Sequence, residues 1–147
     1  MSKKRFQMPV AVHLLLIRKG KILLLRRFNT GYEDGNYSVV AGHLDGNEDV
    51  KSAMIREARE EAGIDIKPNN IQIVGVIHRK SEGERIDFFL AADSWYNEIV
   101  NMEPKKCDDL SWLEIDNLPI NIIPYVKRAI KTIYLMCNLI FMDGEIH

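Results

Sequence analysis

Apolar residues along the 147-residue chain fall into runs whose spacing predicts several strands and two helices. Val10 to Ile17 is apolar and partly β-branched, and Arg18-Lys19-Gly20-Lys21 reads as a polar turn into a second apolar run, Ile22 to Leu25, so the pattern predicts a buried hairpin. Between Phe28 and Tyr37 the segment Asn29-Thr30-Gly31-Tyr32-Glu33-Asp34-Gly35-Asn36 is dense in turn formers and predicts a loop of about ten residues. Ser38 to Ala41 reads as a short strand and Gly42 to Gly46 as a second loop, followed by a helix from Glu48 to Ala62 with Asn47 as its N-cap and Gly63 as a left-handed C-cap. Ile71 to Ile77 and Ile86 to Ala92 are strand-like, and Asp109 to Ile115 is a weaker strand candidate. Val126, Ile130, Ile133 and Cys137 recur at helical spacing, which places a helix from about Ile122 to Ile140 with Pro124 in its first turn.

Composition narrows the class. Hydrophobic residues at 46% and charged residues at 28% are ordinary globular usage, and without a repeat or linker the pattern predicts one domain over residues 1–147. Twenty Lys plus Arg against 21 Asp plus Glu give a net charge of −1, which argues against a general polyanion binder such as a DNA-duplex protein. The basic residues are nevertheless concentrated, because residues 1–27 hold eight of them and no acid. Two cysteines, Cys107 and Cys137, are too few for a disulfide scaffold and fit a reduced, cytoplasmic setting. The N-terminal segment has no apolar run of secretory length, and Ile133 to Met142 is about half of what a bilayer span needs, so no membrane span is expected. That last stretch can cover the core or serve as a homodimer surface.

The predicted helix carries the chemistry. At about 100° per residue, Val50, Ala53, Met54, Ala58, Ala62 and Ile55 share one arc; Glu57 and Glu61 fall inside that arc and Glu60 borders it. Most acidic helix clusters are solvated faces, but these point toward the core. Carboxylates ~5 Å apart at an effective dielectric near 20 repel by about 3 kcal/mol per pair, and a divalent cation reverses that sign. Oxygen donors with no His or Cys at ligand spacing favour Mg²⁺ or Mn²⁺ over zinc. Magnesium bound by few protein ligands keeps positions for phosphate oxygens, so a phosphate ester or anhydride is the natural substrate class.

Gly42, five residues, Glu48, seven residues, then Arg56-Glu57-Ala58-Arg59-Glu60-Glu61-Ala62-Gly63-Ile64 resembles the Nudix box of residues 42–64. Seven fixed identities at roughly one in fifteen each match by chance on the order of 10⁻⁸ per start position. The flanking strands and the last helix extend the resemblance over nearly the whole chain. It implies an α/β/α sandwich with a mixed β-sheet between helices, and hydrolysis of a nucleoside diphosphate linked to another moiety. Glu57, Glu60 and Glu61 match the family's metal-binding glutamates, and the carbonyl of Ala41 matches a further ligand. Glu57 also matches a glutamate often assigned as general base, with Arg56 orienting it and Glu48, like Gly42 and Gly63, holding the loop and helix together. The family commonly has Pro-Gly-Gly where this chain has Val40-Ala41-Gly42.

Outside the box, the window Arg79-Lys80-Ser81-Glu82 lacks the proline of ADP-ribose enzymes and the tyrosine of diadenosine polyphosphate enzymes, and Asn101 to Asp109 before Trp112 resembles Nudix nucleoside triphosphate diphosphatases. The resemblance therefore implies a small-molecule nucleotide substrate, a nucleoside triphosphate cleaved to monophosphate and pyrophosphate. ADP-ribose, nucleotide-sugar and capped-RNA hydrolysis are alternatives, as is a non-catalytic nucleotide-binding module. Arg26 and Arg27 are candidates for binding phosphates and Glu103 for completing the metal site. Trp95, Tyr96, Trp112, Phe28 and Tyr32 are candidates for stacking on a base. His13 reads as core-facing and His43 as a loop residue near the site.

Overall fold

A computed structural model describes residues 3–80 and 83–146, with side chains up to residue 136. In chain order the elements are β1 (Val10–Leu15), β2 (Ile17–Arg18), β3 (Lys21–Arg27), β4 (Tyr37–Ser38), β5 (Val40–His43), α1 (Val50–Ala62), β6 (Ile71–Lys80), β7 (Glu84–Ala92), β8 (Cys107–Glu114) and α2 (Pro124–Ile146). The strands form two sheets. In the first, ordered β5-β1-β7-β6, β1 runs antiparallel to β5 and parallel to β7, so the sheet is mixed. In the second, β3 pairs antiparallel with β2, β4 and β8.

Both faces of the strands are covered. Val12, Leu14 and Leu16 with Leu23 and Leu25 meet Ala53, Met54, Ala58 and Ala62 of α1; Leu15, Ile22, Leu24 and Phe89 meet Val126, Ala129, Ile130 and Ile133 of α2. The central strands β1 and β3 are thereby apolar on both sides, as burial between helices requires. This is the expected sandwich, helix on either side of a strand layer that contains a mixed sheet.

The hairpin expected from Val10 to Leu25 is not formed as one unit. The run breaks at Leu16: β1 joins the mixed sheet, and only Ile17–Arg18 folds back on β3, across Lys19 and Gly20 at positive φ. An unbroken apolar run carries no alternation that would say which partner each half takes. The strand expected at Ser38 to Ala41 likewise divides into β4 and β5, and β5 continues through Gly42 and His43, where a loop was expected. Helix α1 starts at Val50 with Asp49, not Asn47, as N-cap; the Asp49 carboxylate accepts the Ser52 N–H at 2.7 Å. Asn47 takes φ +56, and Glu48 turns to Arg56 and away from the helix end. Gly63 ends the helix at φ +69, with its N–H on the Arg59 carbonyl.

Helix α2 is formed, but begins at Pro124 and not at Ile122, and runs to Ile146, past the expected end at Ile140. Ile133 is buried, Leu135 and Met136 are exposed, and Cys137 and the other side chains of the stretch to Met142 lie outside the described residues, as do Ser81 and Glu82. Among the described residues no helix is long and apolar enough to cross a membrane.

Candidate functional site

Helix α1 turns Glu57 and Glu61 toward the strands and leaves Glu60 at its edge, as its phase predicted: the Glu57 side chain is 14% exposed and that of Glu60 51%. Glu61 accepts the Ala41 N–H from β5 at 3.1 Å. The reach from helix to strand is short because of Gly42, where a Cβ would fall within the Glu57 carboxyl group and 2.6 Å from its Cγ. Ala41 is absent from the positive-φ residues, so the strand backbone here suits alanine.

Arg56 organises the acids from outside. Its guanidinium donates to both carboxylate oxygens of Glu48 at 2.8 and 3.1 Å, to Glu57 Oε1 at 2.9 Å, to Glu60 Oε2 at 3.3 Å and to the His43 carbonyl at 3.1 Å. These partners raise the guanidinium's pKa and hold the Glu48 carboxyl below its ordinary range. One planar fork ties the loop between β5 and α1 to the helix, which a lysine ammonium cannot reproduce. Arg56→Lys is expected to cost about 1–3 kcal/mol, a fall in Tm of several degrees in a thermal melt; a Tm within one degree of the parent would remove this role.

Burial pushes the Glu61 carboxyl up to about 8, against the opposing Ala41 N–H, with Glu57 and Glu103 adding repulsion. Glu57 is raised by burial as well, with Arg56 holding it back. Two inward acids therefore stand in a site that favours their neutral forms.

Both line a cavity of about 430 Å³ together with Glu103, Arg27 and Lys106, and with Leu25, Cys107 and Leu110 as its apolar floor. Glu103, far along the chain, thus joins the box acids. It is held by the turn in which its carbonyl accepts the N–H groups of Lys106 and Cys107. Burial raises the Cys107 thiol, which leaves it in its neutral form. Of the two arginines singled out, only Arg27 faces the cavity. The β3–β8 register shifts between Arg26 and Arg27, and the two side chains part: Arg26 Nε donates to Asp108 at 2.7 Å, while Arg27 donates to the Tyr32 carbonyl and to Thr30 Oγ1. Asp34 fixes that loop by accepting the Thr30 hydroxyl and the N–H groups of Gly31 and Thr30, which hold its carboxyl below the ordinary range.

Among the described residues no three carboxylate, imidazole or thiol groups converge closely enough to hold an ion as the side chains stand, because Glu57 and Glu60 lean on Arg56. Trp95 and Trp112 stack on each other, with Arg18 over Trp95 at 4.3 Å, and line neither this cavity nor the one beside it. Phe28 and Tyr96 are exposed. His13 is buried as expected, and His43 is exposed at the end of β5.

A NUDIX domain family model matches residues 7–135. This chain belongs to the Nudix family. Among curated relatives it is 34% identical over 110 residues to the NAD-capped RNA hydrolase NudC of Stutzerimonas stutzeri, covering 72% of this chain and 37% of that protein. It is 28% identical over 139 residues to NudC of Shigella dysenteriae, covering 92% and 52%. The chain thus spans about half or less of the length of these relatives. Among solved structures, the MutT NUDIX hydrolase of Burkholderia pseudomallei superposes with a TM-score of 0.78 at 25% identity, covering 86% of this chain and 98% of that one. A bifunctional NMN adenylyltransferase/ADP ribose pyrophosphatase of Francisella tularensis, complexed with AMP and Mn, shares the fold with a TM-score of 0.73 at 21% identity over 89% of this chain and 42% of that one. Lys106 was not singled out from the sequence, although Lys105 and Lys106 adjoin Glu103; their charge was the available signal.

Proposed function

We propose that this Nudix chain is a divalent-metal-dependent pyrophosphohydrolase of nucleoside diphosphate-linked compounds, and within that class hydrolyses a nucleoside triphosphate to monophosphate and pyrophosphate. The observation that carries this reading is the wall of Glu57, Glu61 and Glu103 facing Arg27 and Lys106 across one open cavity. Acids alone attract a cation and cations alone an anion; the two together suit a polyphosphate.

The donor set fits the ion that the family implies. Glu57, Glu61 and Glu103 offer only hard oxygens, with Glu60 and the Ala41 carbonyl beside them, and the proton that Glu61 keeps up to about 8 marks a buried carboxyl in need of positive charge. Mg²⁺ or Mn²⁺, when bound there, supplies charge neutralisation for phosphate oxygens. Arg56 holds Glu57 in place and supports its ionised form, so that Glu57 can orient water and accept its proton during in-line attack at phosphorus. Arg27 and Lys106 bind phosphate oxygens and stabilise the departing phosphate.

A second reading rests on the NudC relatives: hydrolysis of the anhydride in an NAD-type RNA cap. The two differ in product, because a triphosphate releases pyrophosphate whereas a dinucleotide anhydride gives two monophosphate ends. The protein with Mg²⁺ is to be assayed against nucleoside triphosphates, ADP-ribose, dinucleoside polyphosphates and NAD-capped RNA, reading pyrophosphate against monophosphate. Pyrophosphate from a triphosphate as the fastest reaction is the expected result. A faster cleavage of capped RNA selects the second reading, and no turnover of any anhydride overturns both.

A further inference from the structure

A second cavity of about 490 Å³ lies on the other side of the Ala41–Gly42 strand, and Arg27 lines both. Ala41 and Gly42 form part of its wall while touching Glu61 and Glu57 on their other side. Arg79 of β6 and Arg85 of β7 bring two further guanidinium groups into it.

Among the described residues the only carboxylate lining this cavity, Asp87, is already committed. Its side chain has no exposed surface; it accepts from Arg79 Nε at 2.9 Å and pairs with His13 Nε2 at 3.0 Å. Burial works against its charge, yet these two partners hold it below the usual carboxylate range, so it is ionised and spent on them. Arg79 is fixed a second time, its guanidinium carbon 3.7 Å from the centre of the Tyr125 ring. Burial pushes the Tyr125 phenol up to about 12, so it adds no negative charge. Among the described residues, Arg85 Nε is buried without a partner, and so is Nδ1 of His13, whose side chain is 4% exposed. Arg85 Nε is a donor, and leaving it buried and unmet costs stability that a ligand oxygen would relieve.

We propose that this second cavity binds a further phosphate of the substrate, remote from the anhydride that is cleaved, with Arg79 and Arg85 as its ligands. Three guanidinium groups against one neutralised carboxylate leave an excess of positive charge, and paired N–H donors match phosphate oxygens. The volume exceeds that of a bare phosphate, and the exposed ring of Tyr32 at its rim offers a face to the attached nucleoside. The substrate then straddles Arg27, with its anhydride among the carboxylates and its second phosphate beyond the strand. This assignment rests on the reading of the first cavity as the hydrolytic one.

The test is titration calorimetry in EDTA, where metal-dependent binding is silent. The ligands are adenosine 5′-monophosphate, the 2′,5′- and 3′,5′-bisphosphates and adenosine 5′-tetraphosphate, each against the parent chain, Arg85→Gln and Arg79→Lys. A ligand with the further phosphate is expected to bind at least tenfold tighter than the monophosphate, and Arg85→Gln to reduce that ratio below threefold with Tm within a few degrees of the parent. A gain with a bisphosphate places the phosphate on the sugar, and a gain with the tetraphosphate places it on the polyphosphate chain. Equal binding of all four, or a ratio untouched by Arg85→Gln, overturns the assignment. Failure of the hydrolytic reading would instead show as absent turnover with this ratio intact.

Discussion

Glu61→Gln is expected to make the metal-free protein more stable at pH 8.5 while lowering its turnover at least about 100-fold. The stability change follows from the carboxyl being raised from 4.5 to about 8. In the unfolded chain the group ionises near 4.5, whereas the folded chain keeps its proton to about 8. The folded state therefore binds more protons between those values, and its stability falls as pH rises through that window, levelling off above it. The interval is 8 − 4.5 = 3.5, which at 1.36 kcal/mol per unit sets an upper bound of about 5 kcal/mol, and relaxation around the ion reduces it to a few. Glutamine removes this group's share of the slope. Melting curves from pH 5 to 9 in EDTA should show Tm of the parent falling and that of the variant falling less, by the share of Glu57 alone. Added Mg²⁺ should flatten the parent's curve, since the ion competes with the proton. Parallel curves for the two proteins, or a variant with full turnover, would dispose of the role given to Glu61.

Gly42→Ala is the second large effect, and it separates position from charge. The backbone at Gly42 tolerates a side chain, since its φ is not positive, but the new methyl would occupy the space of the Glu57 carboxyl group. Helix and strand cannot part without disturbing Met54 and Ala58, so Glu57 must swing away. Overpacking costs about 1–3 kcal/mol, while displacing a catalytic group by an ångström costs about 100-fold. The expected result is a folded protein with kcat reduced on that scale. Combining Gly42→Ala with Glu57→Gln should then cost little more than Glu57→Gln alone. More than half of parental activity in Gly42→Ala would show that the strand does not position Glu57.

The box was legible because its information is local. Period alone turned Glu57 and Glu61 inward, and a left-handed Gly63 closed the helix where expected. The N-cap was misplaced by two residues because Asn47 and Asp49 are both competent caps, and only the loop's path, with Asn47 at positive φ, decides between them. What depends on distant pairing was not legible. Nothing near Arg26 and Arg27 says that β8 will shift register between them and send one to Asp108 and the other to the cavity. Glu103 was named as a candidate beside the box acids, but nothing in the local sequence says how it reaches the cavity that Glu61 lines. The second cavity had a faint signal: Asp87 is an acid inside the apolar run Ile86 to Ala92, and His13 a polar residue inside another. A buried pair is what two such interruptions suggest together, but neither names the other.

The way the two sheets are joined also governs the order in which the chain can acquire its structure. Strand β3 holds Ile22 to Leu25, all buried, and its long neighbour β8 begins at Cys107, while β1 waits for β7 from Glu84 onward. Glu57, Glu61 and the Ala41 strand lie within one short stretch and can meet early, but the apolar strands beneath them stay open-edged until β7 and β8 have been synthesised. Closure over such sequence separations is slow, and an open apolar edge is a place where chains adhere to one another. In a nascent chain the apolar edge of β3 is thus left uncovered until β8 arrives.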